Sequence, residues 1–277
     1  MEFRRLFLLS ILLLAATASA VGASAAEGES FPWPQGRRAA VSLAYDDALD
    51  SQLDHAIPAL DRAGLKGSFY LTLANDSVRK RMAEWRAAAA RGHELGNHTL
   101  FHQCSATLPD REWVVAARDL DRTTVAQMKQ QVVLANTMLQ AIDGRHERTM
   151  TVPCGDVGAA DGNYVEQVEG DFVAIKLGGG GVTPDMWKLD PHAVTVDAPS
   201  DVTGKQLIAQ VEAAAKRGTM VNFTFHGIGG DYLAVSSQAH EELLAYLAAH
   251  RDVYWVDTFL DIMKYVRQRQ EQHALKR

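Results

Sequence analysis

The sequence predicts an α/β fold in a single domain, an irregular (β/α) barrel of about seven or eight strands. Three observations carry this reading. Short β-type runs alternate with longer segments of helical period from residue 39 to residue 267, the pattern of a mainly parallel sheet covered by helices. The 277 residues hold enough such units for a barrel. The polar residues suited to chemistry fall just after several different strands, where a barrel gathers its active site. That placement favours a barrel over the alternative, an open doubly wound sheet.

The elements follow in order. Residues 39–45 (AAVSLAY) read as a strand, and residues 52–63 as a helix with Leu53, Ile57 and Leu60 at helical spacing. Residues 67–73 (GSFYLTL) are a second strand, 78–91 a second helix and 94–97 a short strand. Residues 125–142 form a long amphipathic helix that stops at Asp143-Gly144. Strands are expected at 149–152, 172–176 and 193–196, a helix at 202–217 closed by Gly218, and a strong strand at 219–225 (TMVNFTF). A helix at 237–250, a strand at 253–256 and a helix at 258–267 complete the pattern. Phe31, Pro32, Trp33 and Pro34 are expected to pack as a lead-in to the first strand, and residues 176–181 (KLGGGG) to form a loop over the site.

Composition sets the class. Hydrophobic residues make up 47% and charged residues 22%, a globular rather than a disordered balance. The net charge of −6 and the lack of a Lys/Arg run argue against a nucleic-acid partner. Arg4 and Arg5 precede an apolar run at residues 6–16, and Ala18-Ser19-Ala20 and Ala23-Ser24-Ala25 both fit a cleavage pattern. Residues 1–26 therefore read as a secretory signal peptide, with the domain at 27–277. The apolar run is shorter than the roughly 20 residues of a membrane span. No other stretch suits one, so the mature protein is expected to be exported, periplasmic or extracellular, without a membrane span. Its two cysteines, Cys104 and Cys154, would meet an oxidising compartment.

The first strand runs into Asp46 and Asp47. Two adjacent carboxylates point different ways, so one can bind a metal while the other acts as a base. A helix N-cap is the plainer reading of such a pair by itself. His93, His98 and His102 follow within ten residues. His98 and His102 are spaced i, i+4, which in a helical turn puts both imidazoles on one face and suits zinc. No Glu follows the first His, so the zinc-protease pattern is absent, and His93 precedes its strand, as a core residue would. Two imidazoles and a carboxylate make a three-ligand site with an open position for water, whose proton a free carboxylate can take. His226 ends a hydrophobic strand and opens a glycine-rich loop, which suits a general acid.

With these residues in view, the sequence resembles the polysaccharide deacetylase (NodB-homology, carbohydrate esterase family 4) proteins. Ala44-Tyr45-Asp46-Asp47-Ala48 corresponds to that family's T-F-D-D-G motif, and His98-Thr99-Leu100-Phe101-His102 to its H-[ST]-x-x-H motif. Thr151-Val152-Pro153-Cys154 falls where the family has R-x-P-Y, Asp185-Met186-Trp187 near its Asp/Trp motif, and Phe225-His226-Gly227 at its final L-x-H motif. The resemblance runs from about residue 38 to residue 265. It implies a distorted (β/α) barrel and a divalent metal, zinc above all, on Asp47, His98 and His102. It implies Asp46 as base and His226 as acid. The backbone N–H of Cys154, after Pro153, would serve as oxyanion donor, and Trp187, with Asp185 nearby, would line the acetyl pocket. The substrate would be an acetylated oligo- or polysaccharide.

Departures from the family are specific. Ala48 replaces a glycine, Cys154 a tyrosine, and Thr151 the arginine that pairs with the base, with Arg148 three residues away. The resemblance also sets the loops of Cys104 and Cys154 on one rim of the barrel and so implies a Cys104–Cys154 disulfide, which requires Cα atoms within about 7 Å. Beside the deacetylase reading stand a carbohydrate- or metal-binding protein of weak activity, favoured by the missing arginine, and a metallohydrolase acting on a non-sugar amide.

Overall fold

Alternation of apolar residues in the first strand decides which side faces inward. In β1 (Ala39–Asp46), Ala39, Val41, Leu43 and Tyr45 pack outward under the helices, whereas Ala40 and Ala44 join an inner cluster with Tyr70 and Phe259. The computed structural model describes residues 30–277; the proposed signal peptide lies outside them. Residues Phe31–Arg277 form one compact unit.

Around β1 are arranged β2 (Ser68–Leu71), β3 (Glu94–Asn97), β4 (Thr149–Thr151), β5 (Gly158–Ala159), β6 (Gly162–Asn163), β7 (Ala174–Leu177), β8 (Val194–Thr195), β9 (Met220–Phe225) and β10 (Tyr254–Asp257). Eight of them form a parallel sheet in the order β10-β1-β2-β3-β4-β7-β8, with β9 on the other edge of β1, while β5 and β6 make a small hairpin apart. β10 pairs with the first half of β1 (Ala39–Tyr254 to Ser42–Asp257) and β2 with the second half (Ala44–Ser68 to Asp46–Tyr70). The sheet curls until Asp197, just past β8, bridges β9: its N–H donates to Asn222 O at 3.0 Å, and Thr224 N–H donates back to Asp197 O at 2.7 Å. The result is a distorted, nearly closed barrel, as the sequence predicts.

The helices are α1 (Ile57–Ala63), α2 (Asp76–Ala90), α3 (Val125–Asp143), α4 (Gly204–Arg217), α5 (Ser237–Ala249) and α6 (Phe259–Ala274). Capping fixes their starts: Thr124 and Thr203 each form a reciprocal capping box with the glutamine three residues on, and left-handed Gly144 and Gly218 end the same helices. Two helices differ from expectation. The helix expected at 52–63 opens with a π-helical turn, Gln52–Ala56, because Pro58 has no N–H to give to Asp54 and the wider turn absorbs the loss. The last helix runs to Ala274, since residues 268–274 hold no breaker and favour helix.

The two ends of the barrel differ. At the lower end, the first turn of α6 plugs the interior. Phe259 N–H donates to Ser68 Oγ (2.8 Å), and Leu260 N–H to the Glu94 carboxylate (3.0 Å), which lies favourably at the helix N-terminus. Trp33, buried as the lead-in expectation requires, donates from Nε1 to Gly218 O at 3.0 Å. Trp255 and Thr258 both bond Asp257, a packing and capping role. The upper end, formed by the C-terminal ends of the strands, is open.

One buried pair outside the barrel makes stability depend on pH. His240 of α5 sits 2.6 Å from Tyr45 OH, and burial lowers its pKa to about 3. The unfolded chain takes up a proton near pH 6.5 that the folded chain refuses down to pH 3. This contribution is therefore complete above pH 6.5 and fades as pH falls through that window. The expected slope is about 1.4 kcal/mol per pH unit. Urea unfolding at pH 7 and pH 5 should show His240→Gln losing less stability on acidification than the parent; equal losses would contradict the assignment.

Candidate metal centre and its cavity

Parallel strands of similar height end on one rim, so the residues just beyond them converge. Asp46 and Asp47 leave β1, Thr72 leaves β2, His98 leaves β3, Thr151 ends β4, Leu177 ends β7, and His226 leaves β9. All of them line one cavity of about 800 Å³, together with Asn75, His102, Val152, Cys154, Val196 and Tyr232.

The loop after β3 does not form the helical turn expected of the His98/His102 spacing. Thr99 and His102 are left-handed (φ 62° and 52°), and the loop is held instead by Thr99 N–H donating to Asn97 Oδ1 (2.8 Å) and His102 N–H to Thr99 Oγ1 (3.1 Å). The i, i+4 spacing works because the two left-handed residues fold the segment back. Asp47 (φ 78°), Ala48 (φ 58°) and Cys154 (φ 57°) are left-handed too. Five strained non-glycine residues thus sit in the three loops that build the site, a cost of order 1 kcal/mol or more each that the surroundings must hold in place.

These loops bring together the Asp47, His98 and His102 that the sequence singles out. Asp47 Oδ1 lies 3.2 Å from His98 Nε2 and 3.2 Å from His102 Nε2, and among the described residues no hydrogen bond of good geometry reaches it. The three donors fall within 4.8 Å of one another. The opposite ring nitrogen of His98 is taken: Nδ1–H donates to Thr151 O at 2.7 Å, which turns Nε2 toward the carboxylate. His102 Nδ1 faces Cys104 Sγ at 3.6 Å. Two imidazoles and one carboxylate, with an unbonded buried oxygen between them, fit a divalent metal with an open position, zinc in particular.

Charge within the cluster follows from this crowding. Burial acts against charge on Asp47, but His98, His102 and His226 hold its carboxyl well below the usual range. Burial acts against protonation of His98 as well, yet Asp46, Asp47 and the Thr151 carbonyl raise its pKa to about 9. Burial and the neighbouring His98 lower His102 to about 4. Asp46 differs from Asp47: burial raises its pKa, offset in part by His98, His226 and Lys176. Two neighbouring carboxylates with opposite shifts suit a ligand and a base. His226 Nε2 lies 3.8 Å from Asp47 Oδ2, and its Nδ1 is buried with no hydrogen-bond partner among the described residues. Gln52 ties the two strand ends together, donating from Nε2 to Asp46 O (2.5 Å) and His226 O (3.1 Å).

Cys104 and Cys154 are joined in a disulfide with Cα atoms 5.9 Å apart, as expected. It ties the loop of His102 to the loop after β4. The polysaccharide deacetylase family matches residues 34–171, which hold Asp46, Asp47, His98, His102, Cys104 and Cys154 but not His226 or Tyr232. The chain belongs to the polysaccharide deacetylase family.

Solved structures of that family share the fold. A protein assigned as a polysaccharide deacetylase from Mycobacterium smegmatis superposes with a TM-score of 0.59 at 14% identity, covering 87% of this chain and 94% of the other. The peptidoglycan deacetylase PdaC of Bacillus subtilis gives 0.54 at 17%, covering 86% and 95%. A family 4 acetyl xylan esterase from Clostridium thermocellum, solved with a cobalt ion, gives 0.51 at 18%, covering 81% and 90%. Among curated proteins, one named gellan lyase from a Bacillus species is 23% identical over 88% of this chain. The chain spans 10% of that relative's length.

Set beside the family motifs, several positions behave differently from the sequence expectation. Asp185 and Trp187 do not reach the cavity. Asp185 bonds Trp187 N–H and Lys188, and the Trp187 ring packs on Phe31 (4.7 Å) and His273 (4.3 Å), because residues 182–192 are drawn toward the lead-in segment and α6. Leu177, Val196, Ala198 and Leu233 supply the apolar wall instead. Arg148 does not replace the family arginine: it forks onto Asp143 (2.7 and 2.6 Å) and bonds Leu95 O and Arg145 O. His93 is a core residue, accepting from Gly67 N–H at Nδ1.

Two site residues escaped the sequence reading. Lys176 in β7 is fully buried inside the barrel, 3.4 Å from Ser42 Oγ and over the ring of Phe259 (4.4 Å). Burial lowers its pKa to about 8, opposed by Asp46 and Glu94. A lone lysine between Ile175 and Leu177 was its only signal. Tyr232 donates from its hydroxyl to Asp47 Oδ2 at 2.8 Å and holds the carboxylate from the side away from His98 and His102. It lies on an irregular loop with no period to read.

Three outcomes follow. Zinc at a hundredfold excess over its Kd should raise the unfolding free energy by about 2.7 kcal/mol, a gain lost in His98→Ala. With His98 protonated below pH 9, zinc binding near pH 7 should release about one proton, visible as a buffer dependence of the calorimetric heat; no proton release would contradict the charge assignment. The Cys104→Ser/Cys154→Ser variant, which opens a loop of 50 residues, should lose about 2–4 kcal/mol in urea unfolding and bind zinc more weakly.

Proposed function

We propose that this chain is an exported, metal-dependent hydrolase that removes acetyl groups from a carbohydrate, either from an N-acetylated amino sugar or from an O-acetylated glycan. The observation that carries it is the pairing of an Asp47–His98–His102 donor set with a second carboxylate, Asp46, whose pKa is pushed the opposite way. Family membership supports the reaction class. The N-terminal sequence and the disulfide support export. No helix among the described residues is long and apolar enough to cross a membrane.

Asp47, His98 and His102 would hold the metal. When bound, it supplies Lewis-acid polarisation of the acetyl carbonyl and of the attacking water. Asp46, inward at the end of β1, takes the proton of that water as it attacks. Its raised pKa makes the carboxylate a better proton acceptor than a solvated aspartate. The developing oxyanion lies near the backbone N–H of Cys154, whose left-handed conformation is held by the disulfide. His226, on the opposite wall, gives a proton to the departing amine or alcohol. The apolar residues Leu177, Val196 and Leu233 form a wall for the acetyl methyl. Lys176 provides the buried cation nearest in role to the absent family arginine.

The second reading, a binding protein of weak activity, draws on Thr151 standing where the family arginine would be. Acetate release separates the two. The mature protein should release acetate from at least one of N-acetylglucosamine oligomers, peptidoglycan fragments or acetylated xylan. A chelator should stop release and zinc restore it. Asp46→Asn should lower kcat by about 10²–10⁴-fold while zinc affinity stays within a few-fold. Tight zinc binding without release from any substrate would favour the binding protein.

A further inference from the structure

Beyond the metal, the cavity carries one more set of charges. The carboxylates among its lining residues are Asp46 and Asp47, both assigned above, whereas Arg111 and Arg118 line its outer part beside the exposed ring of Trp113. Arg118 is exposed, and no hydrogen bond or ion pair to its side chain is found among the described residues. Arg111 reaches Asp156 only at 3.4 Å and lies 5.8 Å from the centroid of the Trp113 ring. The carboxylates of the same rim, Asp110, Glu112, Asp119, Asp121 and Asp156, do not line the cavity. Two guanidinium groups thus edge the mouth of the cavity, that of Arg111 paired with Asp156 and that of Arg118 turned to solvent.

The segment that bears them is braced. Cys104 N–H donates to Arg118 O (3.3 Å), and Leu120 N–H donates to Cys104 O (2.9 Å), so Arg118 is bonded through its backbone to the disulfide cysteine two residues beyond His102. Asp156, two residues after Cys154, accepts from Ser105 N–H (2.9 Å) and from Arg111. Asp121 gathers Ser105 and Thr107 (2.8 and 3.0 Å). Trp113 lies 6.4 Å from His102, ring to ring, so a sugar placed over it is a direct neighbour of one held at the metal centre. A rim fixed in this way spends little entropy when it binds.

We propose that this rim is a subsite for a carboxylated sugar, so that the deacetylase acts on an acetylated, acidic glycan. This rests on the deacetylase reading of the same cavity and names its substrate class. Trp113 stacks on the face of the sugar adjoining the acetylated one. Arg118, with its guanidinium uncommitted, pairs with the carboxylate, and Arg111 adds a second donor. The shared chemistry is a carboxylate on a pyranose ring, whether a uronate or the lactyl ether of a muramic-type sugar.

Binding can be tested without turnover. Calorimetry would compare a non-acetylated glucuronate-containing oligosaccharide, a non-acetylated muramic-type glycan fragment and a neutral glucosamine-free oligosaccharide of equal length. The carboxylated ligands should bind about 10- to 100-fold more tightly than the neutral one, with the advantage falling as salt rises. The tighter of the two carboxylated arms identifies the source. Arg118→Gln should remove most of the advantage, and Trp113→Ala should weaken all ligands. Lys129→Gln, which deletes a positive charge on exposed α3, should change nothing. Equal binding of neutral and carboxylated ligands, or an undiminished preference in Arg118→Gln, would overturn the proposal. Because no acetyl group is involved, this outcome is independent of acetate release: carboxylate preference without release would instead count against the deacetylase reading.

Discussion

Asp47 Oδ1 is held 3.2 Å from the Nε2 atoms of both His98 and His102, at the buried end of the cavity. Burying such a cluster is costly by itself, since a carboxylate and two imidazoles lose their water, and the charge on His98 beside Asp47 offsets that cost. The architecture around it serves to keep it assembled. Thr151 O fixes one imidazole, the Cys104–Cys154 disulfide braces the loop of the other, and Tyr232 holds the far carboxylate oxygen. Left-handed residues at Asp47, Ala48, Thr99, His102 and Cys154 add backbone strain that only this bracing can sustain.

The same logic extends below the site. Lys176 is a cation inside a barrel, with aromatic rings of Tyr70 and Phe259 on two sides. An isolated buried ammonium would be expensive. Here Asp46 above and Glu94 below both favour its charge. Glu94 in turn is satisfied by Ser68, Thr149 and the N-terminus of α6. The barrel axis is therefore a column of alternating charge that runs from a helix N-terminus to the candidate metal donors. Thr151 ends β4 where the family motif calls for an arginine, and the cation inside the barrel comes from β7.

How much of this was legible in the sequence depends on the range of the interaction involved. Strands and helices were readable because their patterns are local: β3 appears at the predicted bounds, and the capping boxes at Thr124 and Thr203 mark helix starts. The helical turn proposed for His98–His102 was not, because the left-handed residues that replace it depend on Asn97 and Thr99 side chains bonding backbone nearby. Its place in a motif predicts Trp187 at the pocket. Its actual position is set by Phe31 and His273, which are remote in sequence.

Local strand and helix patterns in the sequence by themselves determined the fold class, because they depend only on neighbouring residues, whereas the donor set Asp47, His98 and His102, Asp46 beside it and the pairing of Cys104 with Cys154 were expectations drawn from motifs that resemble the family's. Tertiary structure alone decided that Tyr232 bonds Asp47, that Lys176 rather than Arg148 lies beneath Asp46, and that Arg118 and Trp113 edge the cavity. Each of these joins segments on different strands of the barrel, and such pairings are fixed only when the sheet closes and brings its strand ends onto one rim.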